Sequence, residues 1–176
     1  NVSGVQLSQP GCAARMKQII SGCGVTPYLI TLELTESVLI ERLSAALPNM
    51  LQLRDMGTRI SIDDFGTGYS SLSALQDLPI AEIKIDRAFV RRMGDGDGGG
   101  VEVVGAIIAL GRSMDKRVIA EGIETSAQCE RLIGMGCERG QGYLLGRPMA
   151  ADYAENVARE SSPVVRIAYS RPTLVS

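Results

Sequence analysis

Arg59-Ile60-Ser61-Ile62-Asp63-Asp64-Phe65-Gly66-Thr67-Gly68-Tyr69-Ser70-Ser71-Leu72 is the stretch on which the fold turns. Its first half is a short β-branched run, the composition of a strand. Two adjacent carboxylates close the run, and a Gly-x-Gly turn follows at once. In α/β proteins the loops that follow strands carry the chemistry, so a strand ending in charge and then turning is a candidate for a functional edge.

The same form recurs on either side. Ile30-Thr31-Leu32-Glu33-Leu34, Glu82-Ile83-Lys84-Ile85-Asp86 and Arg117-Val118-Ile119-Ala120-Glu121 read as strands, and a weaker fifth runs from Glu138 to Tyr143. Helical patterns fill the gaps. One starts near Ser8 and Pro10 and continues to Gly22. Another covers Leu43 to Met56, with Gly57 as its stop and Pro48 delaying or kinking its start. A short one covers Ser70 to Leu78, and a strongly apolar one Val101 to Met114. Thr125 caps a further helix that Gly136 ends, and Ala151 to Arg159 suits a last one. Strands alternating with helices predict parallel βα units.

Parallel strands place all their C-terminal ends on one side. Glu33, Asp63, Asp64, Lys84, Asp86, Glu121, Glu124 and Gln141 therefore gather there. Each has an ordinary structural reading as well. Asp63 and Asp64 suit turn capping, Glu33 and Glu36 a solvated helix start, Lys84 an ion pair, and Glu121 a loop charge. Taken together, so many carboxylates on one edge call for a cation among them. Oxygen ligands suit Mg²⁺ or Mn²⁺, and two such ions suit a phosphodiester and a water.

The composition narrows the alternatives. The 176 residues suit one domain, and 45% hydrophobic with 22% charged residues is an ordinary globular balance. A net charge of −2 offers no basic field for DNA or RNA. The absence of histidine excludes Ser-His-Asp and Cys-His catalysis and histidine-based zinc sites. Cys12, Cys23, Cys129 and Cys137 show no CxxC spacing and read as small apolar fillers, which suits a cytoplasmic protein. The glycine-rich run from Met93 to Gly100 is a surface loop, and it lacks the closing glutamate of a calcium loop. The tail from Ser161 to Ser176 has no periodicity and reads as peripheral.

Asn1-Val2-Ser3, Glu33-Leu34-Thr35-Glu36, the Asp63-to-Leu72 stretch, Lys84-Ile85-Asp86, Ala120-Glu121-Gly122-Ile123-Glu124-Thr125 and Gln141-Gly142-Tyr143 follow one another in the order of a known family. The chain resembles the EAL domain from Asn1 to about Asp152. The resemblance implies a modified TIM (β/α) barrel, N-terminally incomplete in this chain, with one antiparallel strand in the complete barrel. It also implies a domain over residues 1–155 and a peripheral tail over 156–176. The implied activity is hydrolysis of cyclic di-GMP to linear pGpG with a two-metal Mg²⁺ or Mn²⁺ site, in bacterial second-messenger signalling.

Residue by residue, Asn1, Glu33 and Asp63 resemble ligands of one metal. Asp63, Asp64 and Glu121 resemble ligands of the other. Lys84 resembles the residue that holds the attacking water, with Gln141 supporting it. Glu124 and Asp86 fall on the substrate side or behind the ligands. Phe65, Gly66, Thr67, Gly68, Tyr69, Ser70 and Ser71 resemble the loop that couples metal binding to homodimer formation, and Glu36 resembles its anchor.

The Glu-Ala-Leu motif that names the family is absent, and Val5 stands where the family usually has arginine. The chain has no initiator methionine and reads as the later part of a longer protein, whose upstream sensory or GGDEF-type domains, or a membrane anchor, would precede Asn1. Two functions remain open on these residues: the phosphodiesterase, and an inactive EAL module that binds cyclic di-GMP or a protein partner.

Overall fold

The computed structural model describes residues 1–38, 42–68, 75–94, 99–150, 152–153 and 156. Five strands are described: β1 (Thr31–Thr35), β2 (Arg59–Phe65), β3 (Glu82–Ile85), β4 (Arg117–Ala120) and β5 (Arg139–Gly140). They form one sheet in the order β1-β2-β3-β4-β5, and every pairing is parallel. Sequence order with a constant direction is the order of a barrel wall. A doubly wound sheet reverses its order at a switch point. The α/β expectation therefore holds, and the described strands make part of a barrel. The fifth strand is shorter than its expected span of Glu138 to Tyr143. Only Arg139 and Gly140 pair, opposite Ile119 and Ala120, because Gln141 turns back to accept from the Ile123 N–H.

The helices are α1 (Gly4–Leu7), α2 (Cys12–Gly22), α3 (Leu43–Asp55), α4 (Arg87–Arg92), α5 (Gly99–Ser113) and α6 (Ser126–Gly134). The first stretch differs from expectation. Ser8 ends α1 rather than opening the next helix. Ser3 caps α1 in a reciprocal box with Gln6, and Gly11, at φ 77°, resets the chain before Cys12. Pro48 does not delay α3, which starts at Leu43 and runs through it. The Ser44 carbonyl that Pro48 leaves without a donor belongs to an exposed residue, where water can take its place. Thr125 caps α6 in a second box with Gln128, and Gly136 follows its end at φ 77°. The short helix expected at Ser70 to Leu78 and the last one at Ala151 to Arg159 fall largely outside the described residues. The central residues of the glycine-rich run, 95–98, do so entirely.

The core lies between sheet and helices. The register places Leu34, Ile62, Ile83 and Val118 in one cross-strand row. All four are buried, and they pack with Met50, Leu53, Val90 and Val104 from the helices. The adjacent row is Glu33, Ser61, Glu82 and Arg117, so the opposite face of the sheet is polar. There the buried Glu82 pairs with Arg117 at 2.9 Å and lies 3.8 Å from Arg139.

Asn49 ties the first helices to α3. Its side chain accepts from the Ala13 N–H at 3.1 Å and donates to the Leu7 and Gln9 carbonyls at 2.7 and 3.0 Å. Asn49→Ala leaves the buried Ala13 N–H and Leu7 carbonyl without this partner and is expected to cost about 2 kcal/mol, read as a lower urea midpoint with the slope unchanged. All four cysteines are free thiols. By its contacts the chain divides into Asn1–Gly146 and Arg147–Ser176. No described helix is long and apolar enough to cross a membrane.

Candidate functional site

The site is built on the C-terminal ends of β1 to β4. In a regular strand Asp63 and Asp64 would point to opposite faces. Here Ile62 pairs with Ile83 and Phe65 with Ile85, so three steps along β2 match two along β3. This is a β-bulge, and Asp64 takes the left-handed conformation at φ 53° that aspartate tolerates better than most residues. The consequence is chemical. Carboxylate oxygens of Asp63, Asp64 and Glu121 come within 4.8 Å of one another.

Lys84, 5% exposed, projects from β3 into this group. Its Nζ lies 2.6 Å from Glu121, 2.9 Å from Glu33 and 3.0 Å from Asp63. Burial works against the ammonium, but the bonds to Glu121, Glu33 and Asp63 outweigh it and raise its pKa above the ordinary lysine value. Lys84 is therefore a fixed cation at neutral pH. Glu121 is pushed upward, first by burial and then by the Asp63 and Asp64 charges, against the pull of Lys84. Asp64 is pushed upward by burial, by a side-chain hydrogen bond with Asp86 and by the charges of Asp63 and Asp86. Four carboxylates around one ammonium leave a local excess of negative charge. Oxygen donors this close fit a hard divalent cation.

The other expected residues are placed as follows. Gln141 donates from Nε2 to Glu121 Oε1 at 2.6 Å and fixes that carboxylate. The Val2 N–H donates to the Glu33 carbonyl at 2.9 Å, which holds Asn1 beside β1, next to the Glu33 backbone. Asp86 caps α4 by accepting from the Ala88 N–H at 2.7 Å. Glu124 is exposed, with its backbone N–H on Gln128, and the structure does not bring its side chain into the carboxylate group.

Glu36 is buried, and its Oε2 accepts from the N–H groups of Gly66 and Gly68, both at 3.0 Å. Gly66 sits at φ 99°, and a Cβ there would lie 2.9 Å from the Phe89 ring, so only glycine fits this turn. Tyr69, Ser70 and Ser71 lie outside the described residues. Glu36→Ala removes the acceptor of both amides, and their hydrogen-exchange protection is expected to fall about tenfold or more.

An open cleft of about 460 Å³ lies at this edge, lined by Asp64, Thr67, Asp86, Arg87 and Glu121. Neither the bulge nor the place of Arg87 is legible in the sequence. The bulge leaves no periodic trace, since only the register of β3 reveals it. Arg87 carried no motif of its own, and its place after Asp86 was the one available signal.

The EAL domain model matches residues 1–148. The chain belongs to the EAL domain family. The bifunctional diguanylate cyclase/cyclic di-GMP phosphodiesterase MucR of Pseudomonas aeruginosa is 43% identical over 152 residues, which cover 86% of this chain and 22% of MucR. The EAL chain thus spans about a fifth of that relative's length. The solved PaMucR phosphodiesterase in complex with c-di-GMP superposes with a TM-score of 0.83 at 43% identity, covering 88% of this chain and 62% of that one. The EAL domain of Mycobacterium smegmatis DcpA superposes with a TM-score of 0.84 at 36% identity, covering 93% and 73%. These neighbours place the described sheet within the TIM-barrel-like EAL fold.

Proposed function

We propose that the chain forms the metal-binding and water-holding part of a cyclic di-GMP phosphodiesterase, acting in bacterial second-messenger signalling. The observation that carries this reading is the meeting of Asp63, Asp64 and Glu121 around Lys84 on a bulged strand end. Likeness to MucR, a named cyclic di-GMP phosphodiesterase, supports the choice of substrate.

Asp63, Asp64 and Glu121 would hold one Mg²⁺ or Mn²⁺, and Asn1, Glu33 and Asp63 would hold the other. When bound, the ions acidify a water and take up charge on the phosphate oxygens. Lys84 stays an ammonium, so it orients the water and does not deprotonate it. Gln141 holds Glu121 in place. In the reaction the water oxygen bonds to phosphorus, the P–O3′ bond breaks, and the 3′ oxygen leaves as a hydroxyl, giving linear pGpG. Glu36 holds the Gly66–Gly68 turn beside this site, and homodimer formation through Phe65 to Ser71 belongs to the same proposal.

The test is conversion of cyclic di-GMP to the linear dinucleotide by the full-length protein. Turnover with Mg²⁺ or Mn²⁺ that stops on chelation supports the enzyme. Tight binding with no product under saturating metal would replace it with the receptor reading.

A further inference from the structure

Arg87 is the single cation among the described residues that line the cleft. Asp64, Asp86 and Glu121 make the rest of the charged lining, so an anionic phosphodiester entering here meets repulsion from the protein on three counts. Arg87 is exposed and forms no ion pair among the described residues. Its stem is nonetheless fixed. A Cβ built on Gly122, at φ 68°, would lie 2.6 Å from Arg87 Cβ, so the arginine stem packs onto the glycine that directly follows Glu121. Arg87 thus starts from a packed root at the cleft wall, and its guanidinium donors are uncommitted among the described residues. A planar fork of donors suits the non-bridging oxygens of a phosphate better than a point charge does.

We propose that Arg87 is a substrate-binding residue that holds a phosphate oxygen of the cyclic dinucleotide at the mouth of the acidic cleft. This rests on the phosphodiester reading of the site. Arg87 acts on ligand capture and discharges repulsion, while metal affinity is left to the carboxylates. The two effects have opposite signs: removing Arg87 weakens an anion's binding and, if anything, strengthens a cation's.

The experiment compares Arg87→Ala and Arg87→Lys with the unaltered full-length protein under saturating Mn²⁺. Binding of a fluorescent cyclic di-GMP is read by stopped flow before any cleavage. The alanine variant is expected to lose about 10- to 100-fold in affinity, with lysine between it and the unaltered protein. Mn²⁺ affinity, read by electron paramagnetic resonance, is expected to be equal or tighter in the alanine variant. Its melting temperature should be unchanged, since the side chain is exposed. Dinucleotide binding by Arg87→Ala equal to that of the unaltered protein overturns this inference alone. A parallel loss of Mn²⁺ binding also overturns it, because the effect is then structural. If the unaltered protein binds no cyclic di-GMP, the phosphodiester reading falls and this inference with it.

Discussion

Asp63→Asn is expected to lower cyclic di-GMP turnover about a thousandfold or more, which corresponds to about 4 kcal/mol of lost transition-state stabilisation. The substitution keeps the side chain's size and one carbonyl oxygen. What it removes is the charge on a carboxylate that lies beside Lys84 at 3.0 Å and also belongs to the three-carboxylate group. A ligand shared by two cations has no substitute among its neighbours, because Asp64 and Glu121 already face the second of the proposed metal positions. Turnover within tenfold of the unaltered protein would remove Asp63 from the metal site.

The metal-free protein is expected to respond in the opposite sense. Asp63 helps push Glu121 and Asp64 upward, after burial. A carboxyl raised in the folded state stabilises the fold when protonated, and that stability is lost as pH rises from the ordinary value through the raised one. The ordinary values are 3.8 for Asp64 and 4.5 for Glu121, so the loss runs upward from there. Removing the charge by Asp63→Asn should make that fall shallower, read as urea midpoints over pH with chelator present. Function down and metal-free stability less penalised is the signature of a site whose charges are arranged for a ligand.

Much of the fold was legible because it is local. Ile60 and Ile62, or Ile83 and Ile85, announce strands by branching at Cβ, and Thr125 with Gln128 announces a helix start by its spacing. The carboxylate edge followed from strand direction alone. The boundaries that were misplaced depended on backbone angles that composition does not record. Gly11 at φ 77° separates α1 from α2, and α4 is six residues long, too short for a periodic signal.

The site was legible as a set of residues but not as an arrangement. Strict alternation sends Asp64 away from Asp63, and only the mismatch between β2 and β3 returns it. The Glu82–Arg117 pair needed the β3–β4 register in the same way, since nothing along the chain joins positions so far apart. The resemblance supplied Glu36 as a loop anchor, and the structure adds the atoms: one carboxylate oxygen shared by two amides.

Lys84→Met should be the most destabilising change in the sheet when no metal is present. Methionine fills the space of the lysine stem, so packing is largely kept and the charge is isolated as the variable. The ammonium is 5% exposed and pairs with Glu33, Asp63 and Glu121. Without it these carboxylates face one another with no cation, and breaking a buried pair from one side typically costs about 3–5 kcal/mol. That is a large share of the roughly 5–15 kcal/mol that holds a domain folded. Acid should rescue the variant, since protonating Glu121 and Asp64 removes the repulsion. The lysine itself does not titrate in that range. Its raised pKa means that its contribution is present below the ordinary value of 10.5 and is lost only as pH rises through the higher folded value. Mn²⁺ should rescue the variant as well, through binding to the folded state alone, and more strongly than it stabilises the unaltered protein. A metal-saturated Lys84→Met protein is therefore expected to be folded yet slow in turnover, because the group proposed to orient the water is gone. Full activity in that folded variant would confine Lys84 to charge balance, and an unchanged urea midpoint in chelator would show that the carboxylates do not depend on it.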